Sequence, residues 1–201
     1  EGRFQSRLHY IRDVIGLKPG VQDLAAMSLM ITSKGNYFIA DTHVREDPTA
    51  EEIAELAVHC AAHVSRFGLE PKIALISHSD FGSADLTSPL KMRKALAILR
   101  ELAPNLEVDG EMQATTALSE LIRERILPGS RLTGVANILI MPNLDSANIA
   151  YQLIKVVADA LLVGPILIGA AQPVHVMTPA TTTRGVVNMT AVAVAEAQGV
   201  A

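Results

Sequence analysis

Residues 72–102, KIALISHSDFGSADLTSPLKMRKALAILREL, decide the fold class. A short aliphatic run, Lys72 to Ser77, reads as a strand. A polar loop with one glycine, His78 to Ser83, follows it. Ser88 to Leu102 then reads as a helix, with Pro89 in its first turn, where proline's fixed φ and missing N–H are harmless. Strand, polar loop and helix in that order form the repeating unit of a parallel sheet.

The alternation extends outward in both directions. Downstream come a strand at Leu106–Gly110, a helix at Ala114–Arg125, a strand at Leu132–Met141 and a helix at Ala147–Ala160. Short apolar strands at Pro165–Gly169 and Val174–Met177 precede a last helix, Thr182–Gln198. Upstream, Leu8, Ile11 and Ile15 have helical spacing within residues 3–15, and Gly16, Pro19 and Gly20 end that segment. Leu24–Ile31 and Tyr37–Ala40, separated by a turn at Ser33–Asn36, read as a β-hairpin. A further helix runs from Thr49 to about Arg66. Thr49 with Glu52 has capping-box spacing, and Gly68 stops the helix. These elements predict an α/β protein of three αβα layers with a mostly parallel sheet.

Composition agrees with that class. Of 201 residues, 49% are hydrophobic but only 3% aromatic, so the core is aliphatic and suits helix-on-sheet packing. The net charge of −4 and the lack of a Lys/Arg run argue against a nucleic-acid surface. No run of 18 apolar residues predicts a membrane span. A single cysteine, Cys60, excludes an internal disulfide and points to the cytoplasm. The chain opens on Glu1 with no signal-peptide pattern, and the expectation is a piece of a longer polypeptide.

In such sheets ligands bind beyond the carboxyl ends of the strands. Ser77, Ser79, Gly82 and Ser83 follow one strand and can cradle a phosphate, although the Walker A ending is missing. A capped turn before Thr87 or Ser88 explains the same residues. Asp109-Gly-Glu111 suits acid–base work or simply a turn. Asn143, Asp145 and Asn148 cluster after Met141, where amides can read a ligand and where Asp145 or Ser146 can cap a helix. His59 and His63 are four apart on one helix but lack the zincin glutamate, so no metal site is expected. Lys91, Arg93, Lys94 and Arg100 make one helix basic, which usually means a solvated face. The stretch HVMTPATTTRG (175–185) crowds four hydroxyls into positions 178–183, without a carboxylate, lysine or cysteine beside them. Thr178, Thr181 and Arg184 there are candidate ligand contacts.

Residue chemistry alone names no reaction. Several ordered stretches do resemble the phosphotransacetylase (phosphate acetyl/butyryltransferase) family: PTAEEIAELA (48–57), SHSDFGSA (77–84), DGEMQATTAL (109–118), PGSRLTGVANILIMPNLDSANIAY (128–151), GPILIGAAQPVHVMT (164–178) and VVNMTAVAVAEAQ (186–198). The resemblance implies acetyl transfer between CoA and phosphate, and an isocitrate/isopropylmalate dehydrogenase-like fold of two lobes around a cleft. It assigns 20–166 to the second lobe, and 1–19 and 167–201 to the first.

The resemblance also shows a loss. Where active members carry Ser-Arg and, further on, Asp, this chain has Thr178, Pro179 and Gly185. A thiol of pKa about 8.5 needs a base or a cation to become a good nucleophile, and proline and glycine supply neither. A family lysine is replaced by Gln152, with Lys155 nearby. These departures resemble one branch of the family, the C-terminal phosphotransacetylase-like domain of large bacterial NADP-dependent malic enzymes. That resemblance implies no catalytic residue and no cofactor in these residues. It implies acetyl-CoA as an effector, an N-terminal malic enzyme half as partner, NADP and Mg or Mn in the parent chain, and a homo-oligomer. The alternative is an active phosphate acetyltransferase.

Overall fold

Successive side chains of a strand face opposite sides of a sheet, and here both sides are aliphatic. In the computed structural model, which describes residues 4–179 and 181–199, six strands form the sheet: β1 (Ala25–Thr32), β2 (Gly35–Ala40), β3 (Lys72–Ile76), β4 (Glu107–Met112), β5 (Ile138–Ile140) and β6 (Leu161–Ile168). Met27, Leu29, Phe38, Ala40, Ile73, Leu75, Ile138 and Ile140 face one core. Their neighbours Met30, Ile39, Ala74, Ile76 and Leu139 face another. Helices must therefore cover both sides.

On the first side lie α2 (counting α1 as Phe4–Tyr10), which spans Ala50–Arg66, and α3, Thr87–Leu102. On the second lie α4 (Ala114–Ala117) and α6 (Leu144–Val157), with α5 (Glu120–Ile126) between them in sequence. The last helix, α7 (Thr183–Ala197), sends Met189 and Val192 into the first core. The sheet order is β4-β3-β5-β2-β1-β6. β4, β3, β5 and β2 pair in parallel, β1 is antiparallel to β2, and β6 is antiparallel to β1. Five strands thus point one way, as the alternation predicts, and the hairpin supplies the exception.

Several boundaries differ from the sequence reading. Only Ile138–Ile140 of the expected Leu132–Met141 strand joins the sheet. Leu132 and Ala136 are apolar because they are buried as loop. The carbonyls of Leu132 and Gly134 accept from the fully buried Arg123 guanidinium instead of a ladder. The helix expected over 114–125 breaks at Ser119, whose hydroxyl caps α5. α6 starts at Leu144, because Asn143 rather than Asp145 or Ser146 is its cap. Leu86, without a side-chain cap, precedes α3. α1 passes into a π-helical turn, Ile11–Ile15, closed by the Gly16 N–H on the Ile11 carbonyl. Val174–Met177 form no strand, and β6 takes the edge alone and begins four residues earlier than expected. The capping box at Thr49 and Glu52 is present in full.

Residues 8–24 pack against residues 167–176. Leu8, Ile11, Leu24, Leu167, Ala170 and Val176 form a small third cluster, and Leu17 bridges Ala170.

Candidate functional site

A cleft of about 380 Å³ runs along β6, the edge strand, between α6 and the start of α7. β6 contributes Leu161, Leu162, Gly164 and Pro165. α6 contributes Tyr151 and Lys155, one helical turn apart. The loop after β6 brings Thr178, Thr181 and Thr182, and α7 brings Arg184, Gly185 and Asn188. The loop after β2 adds His43. Thr182 caps α7 through the Gly185 N–H at 3.1 Å, so the positive end of a 15-residue helix opens on the cleft.

Electrostatics follow from this lining. Burial lowers the His43 imidazole pKa and raises the Tyr151 hydroxyl, so both are neutral near pH 7. Their rings meet edge-on, 5.9 Å apart. Lys155 and Arg184 remain as positive groups, and among the described lining residues there is no carboxylate. Such a cleft attracts an anion and offers hydroxyls beside it. His43 is held from behind: its Nδ1 lies 2.8 Å from Thr42 Oγ1, which lies 2.9 Å from Ser28 Oγ.

The structure brings only part of the expected set together. Thr178, Thr181 and Arg184 share the cleft with Gly185. Pro179 lies in the same loop, one residue past Thr178. Asn148 donates to the Thr42 carbonyl at 3.1 Å, and so braces the residue beside His43. Asn143 is occupied as the α6 cap, and Asp145 is exposed on the first turn.

Ser77, Ser79, Gly82 and Ser83 lie elsewhere. β3 and β6 are four places apart in the sheet, about 19 Å at the usual strand spacing. The 77–83 loop closes on Glu111, which is fully buried. Ser79 Oγ donates to its carboxylate at 2.7 Å, the Gly82 N–H at 3.0 Å, and Arg93 approaches to 3.4 Å. The loop's donors thus serve an internal carboxylate. Asp109 is equally engaged, by Arg100, Ser130 Oγ and the N–H groups of Gly110 and Arg131. The basic side chains of α3 are neither free nor clustered: Lys91, Arg93, Lys94 and Arg100 pair with Asp47, Asp85, Glu51 and Asp109. His59 and His63 do not converge. His59 faces Glu55 and His63 faces Glu196, and among the described residues no group of three His, Cys, Asp or Glu is placed to hold a metal ion.

His43, Tyr151 and Asn188 escaped the sequence reading. The rule that strand ends carry sites would have found His43, since Asp41-Thr-His43 follows β2 directly. Tyr151 carries no local signal of a site, and only its place next to β6 reveals the cleft.

The family model for phosphate acetyl/butaryl transferase matches residues 2–194. The chain belongs to that family. A phosphotransacetylase from Streptococcus pyogenes superposes with a TM-score of 0.93 at 30% identity, over 98% of this chain and 61% of that one. The three-layer α/β fold is therefore that of the phosphotransacetylases. The NAD-dependent malic enzyme of Rhizobium meliloti is 51% identical over 196 residues, and the NADP-dependent malic enzyme of Escherichia coli is 48% identical over 198. Each alignment covers 98% of this chain and 26% of the relative. The chain is thus a phosphotransacetylase-like unit, similar to about a quarter of those malic enzymes, whose named coenzymes differ. Among the described residues no helix is long and apolar enough to cross a membrane.

Proposed function

We propose that this chain is the phosphotransacetylase-like C-terminal domain of a malic enzyme, and that it binds acetyl-CoA as a regulator without transferring the acetyl group. One observation carries the reading. The cleft holds two cations, a helix N-terminus and three threonines, while Pro179 in its loop and Gly185 in the first turn of α7 stand where the family resemblance implies Arg and Asp. It can hold the anionic ligand but does little to its thiol.

In this reading 20–166 form the second lobe, and the paired ends, 1–19 and 167–201, belong to the first. The malic enzyme half of the parent holds the pyridine nucleotide and Mg or Mn, and oxidatively decarboxylates malate to pyruvate. The parent works in the cytoplasm, in keeping with the lone, buried Cys60. Regulation requires acetyl-CoA to bind one state of the parent better than the other.

The test is malate oxidation by the intact parent, titrated with acetyl-CoA. A change in rate or in malate affinity is expected. Arg184→Ala should shift its midpoint by about tenfold to higher acetyl-CoA, the effect of losing one charged contact. An unchanged midpoint removes Arg184 from the site.

A second reading, phosphate acetyltransferase, is favoured by His43. A neutral imidazole in the cleft is chemically able to take a thiol proton. Acetyl phosphate formed from acetyl-CoA and phosphate, and lost in His43→Ala, would establish it.

A further inference from the structure

Away from the cleft, three titratable side chains from three parts of the fold meet. His63 lies on the last turn of α2, Glu196 on the last turn of α7, and His175 in the extended stretch after β6. His63 Nδ1 is 3.4 Å from one oxygen of Glu196, and His175 Nε2 is 3.3 Å from the other. The side chains are 8%, 12% and 4% exposed. Lys18 and Arg66 line the same small cavity of about 200 Å³.

Hydrogen bonding fixes the roles. The Leu167 N–H donates to His175 Nδ1 at 3.1 Å. That nitrogen must therefore be the acceptor, and the neutral ring carries its proton on Nε2, toward Glu196. Glu196 faces both rings at ion-pair distance without a closed hydrogen bond from either, and it stays ionised: burial pushes its carboxyl up, but His175, His63 and Lys18 together bring it below the usual value. On the other side burial, with the charges of Arg66 and Lys18, keeps His63 neutral down to about 4.

The position of this contact matters more than its strength. His175 and Glu196 stand at the two ends of the segment that bears Thr178, Thr181, Arg184 and Gly185. Their pairing closes the segment on itself, the Leu167 bond ties it to β6, and His63 ties it to α2. Between these ends the segment is also held by Val176 in the third cluster, by Arg7 on the Met177 carbonyl, and by Met177, Met189 and Val192 against the first core.

We infer that Glu196 is a positioning residue for the 176–185 loop, closing its segment through His175 and fixing it to α2 through His63, so that Thr178, Thr181 and Arg184 face the cleft. Its consequence for ligand binding rests on the reading of that cleft as the acetyl-CoA site. The clasp itself does not.

Hydrogen exchange on the intact parent, without ligand, tests it. In Glu196→Gln, which keeps the size and removes the charge, amides of residues 176–190 should exchange about tenfold faster, while those of β3 and α3 keep their protection. Glu196→Ala should give the same local pattern or a stronger one. Unchanged protection of 176–190 in both variants overturns the inference. Faster exchange throughout the domain by one common factor also overturns it, since that marks a role in global stability alone. Acetyl-CoA affinity should fall about fivefold to tenfold in Glu196→Gln. If the wild type binds no acetyl-CoA, the ligand assignment fails, and the exchange result still decides the clasp.

Discussion

Gly185 has no room for a side chain as its neighbours now stand. A Cβ there would sit 2.9 Å from Thr181 Cγ2 and 3.4 Å from Thr182 Oγ1. Thr181 cannot turn away freely, because its Oγ1 accepts from the Thr178 N–H at 3.2 Å and its own N–H donates to the Thr178 carbonyl. A larger side chain at 185 and the present packing of Thr181 are thus in competition. Gly185→Asp should cost roughly 1–3 kcal/mol in chemical denaturation, an overpacking cost. Adding Thr181→Ser, which removes the methyl and keeps the hydroxyl, should recover most of it. An equal cost in both backgrounds would contradict the contact. At this scale the sequence is informative where the signal is local, as at Thr49 and Glu52. It is silent where a partner lies far along the chain. Nothing near Ser79 announces that its hydroxyl belongs to Glu111, 32 positions away, so a loop with the look of a phosphate cradle turns out to be filled from within.

The elements were legible wherever a local rule governs them. The alternating aliphatic strands, the Thr49–Glu52 capping box and the order strand-loop-helix all follow from neighbours in sequence. Leu132–Ala136 and Val174–Met177 are misread as strand for one reason: apolar residues buried in loops look like strand residues until the ladder is seen. The packing of elements also buries two separate groups with opposite pH behaviour. His63, at the end of α2, is neutral in the fold down to about 4 because of burial. The unfolded chain protonates it near its ordinary 6.5, so stability falls as the pH drops from 6.5 to 4, by about 3 kcal/mol in all. Asp41, after β2, is raised by burial to about 6, against three backbone N–H bonds and Arg45. The fold then holds a proton that the unfolded chain releases above 3.8, so stability falls as the pH rises from 3.8 to 6, again by about 3 kcal/mol. The two oppose each other in nearly one window. Between pH 7 and pH 5, His63→Gln should gain about 2 kcal/mol relative to the wild type, while Asp41→Asn should lose about 1 kcal/mol. Urea midpoints at the two pH values measure both, and parallel curves for wild type and variants would contradict the burial argument.

At the scale of the whole molecule, two helices leave apolar faces uncovered. α6 turns Ala147 and Tyr151 to the sheet and exposes Ile149, Leu153, Val156 and Val157, the last at 83%. α7 buries Met189 and Val192 and exposes Val187 and Val194. Faces of this kind mark association surfaces, and they support our reading that the parent is a homo-oligomer. Val156→Lys with Val157→Lys should lower the molar mass by light scattering while the circular dichroism stays the same. An unchanged mass excludes α6 as the interface. The central claim concerns the cleft beside β6: that it has kept its ligand and given up the reaction. Its most direct test is a calorimetric titration of the intact parent with acetyl-CoA, followed by an assay of the same sample for acetyl phosphate after adding phosphate. Saturable heat with no acetyl phosphate is the predicted result. No heat at saturating acetyl-CoA, or turnover to acetyl phosphate, would contradict it.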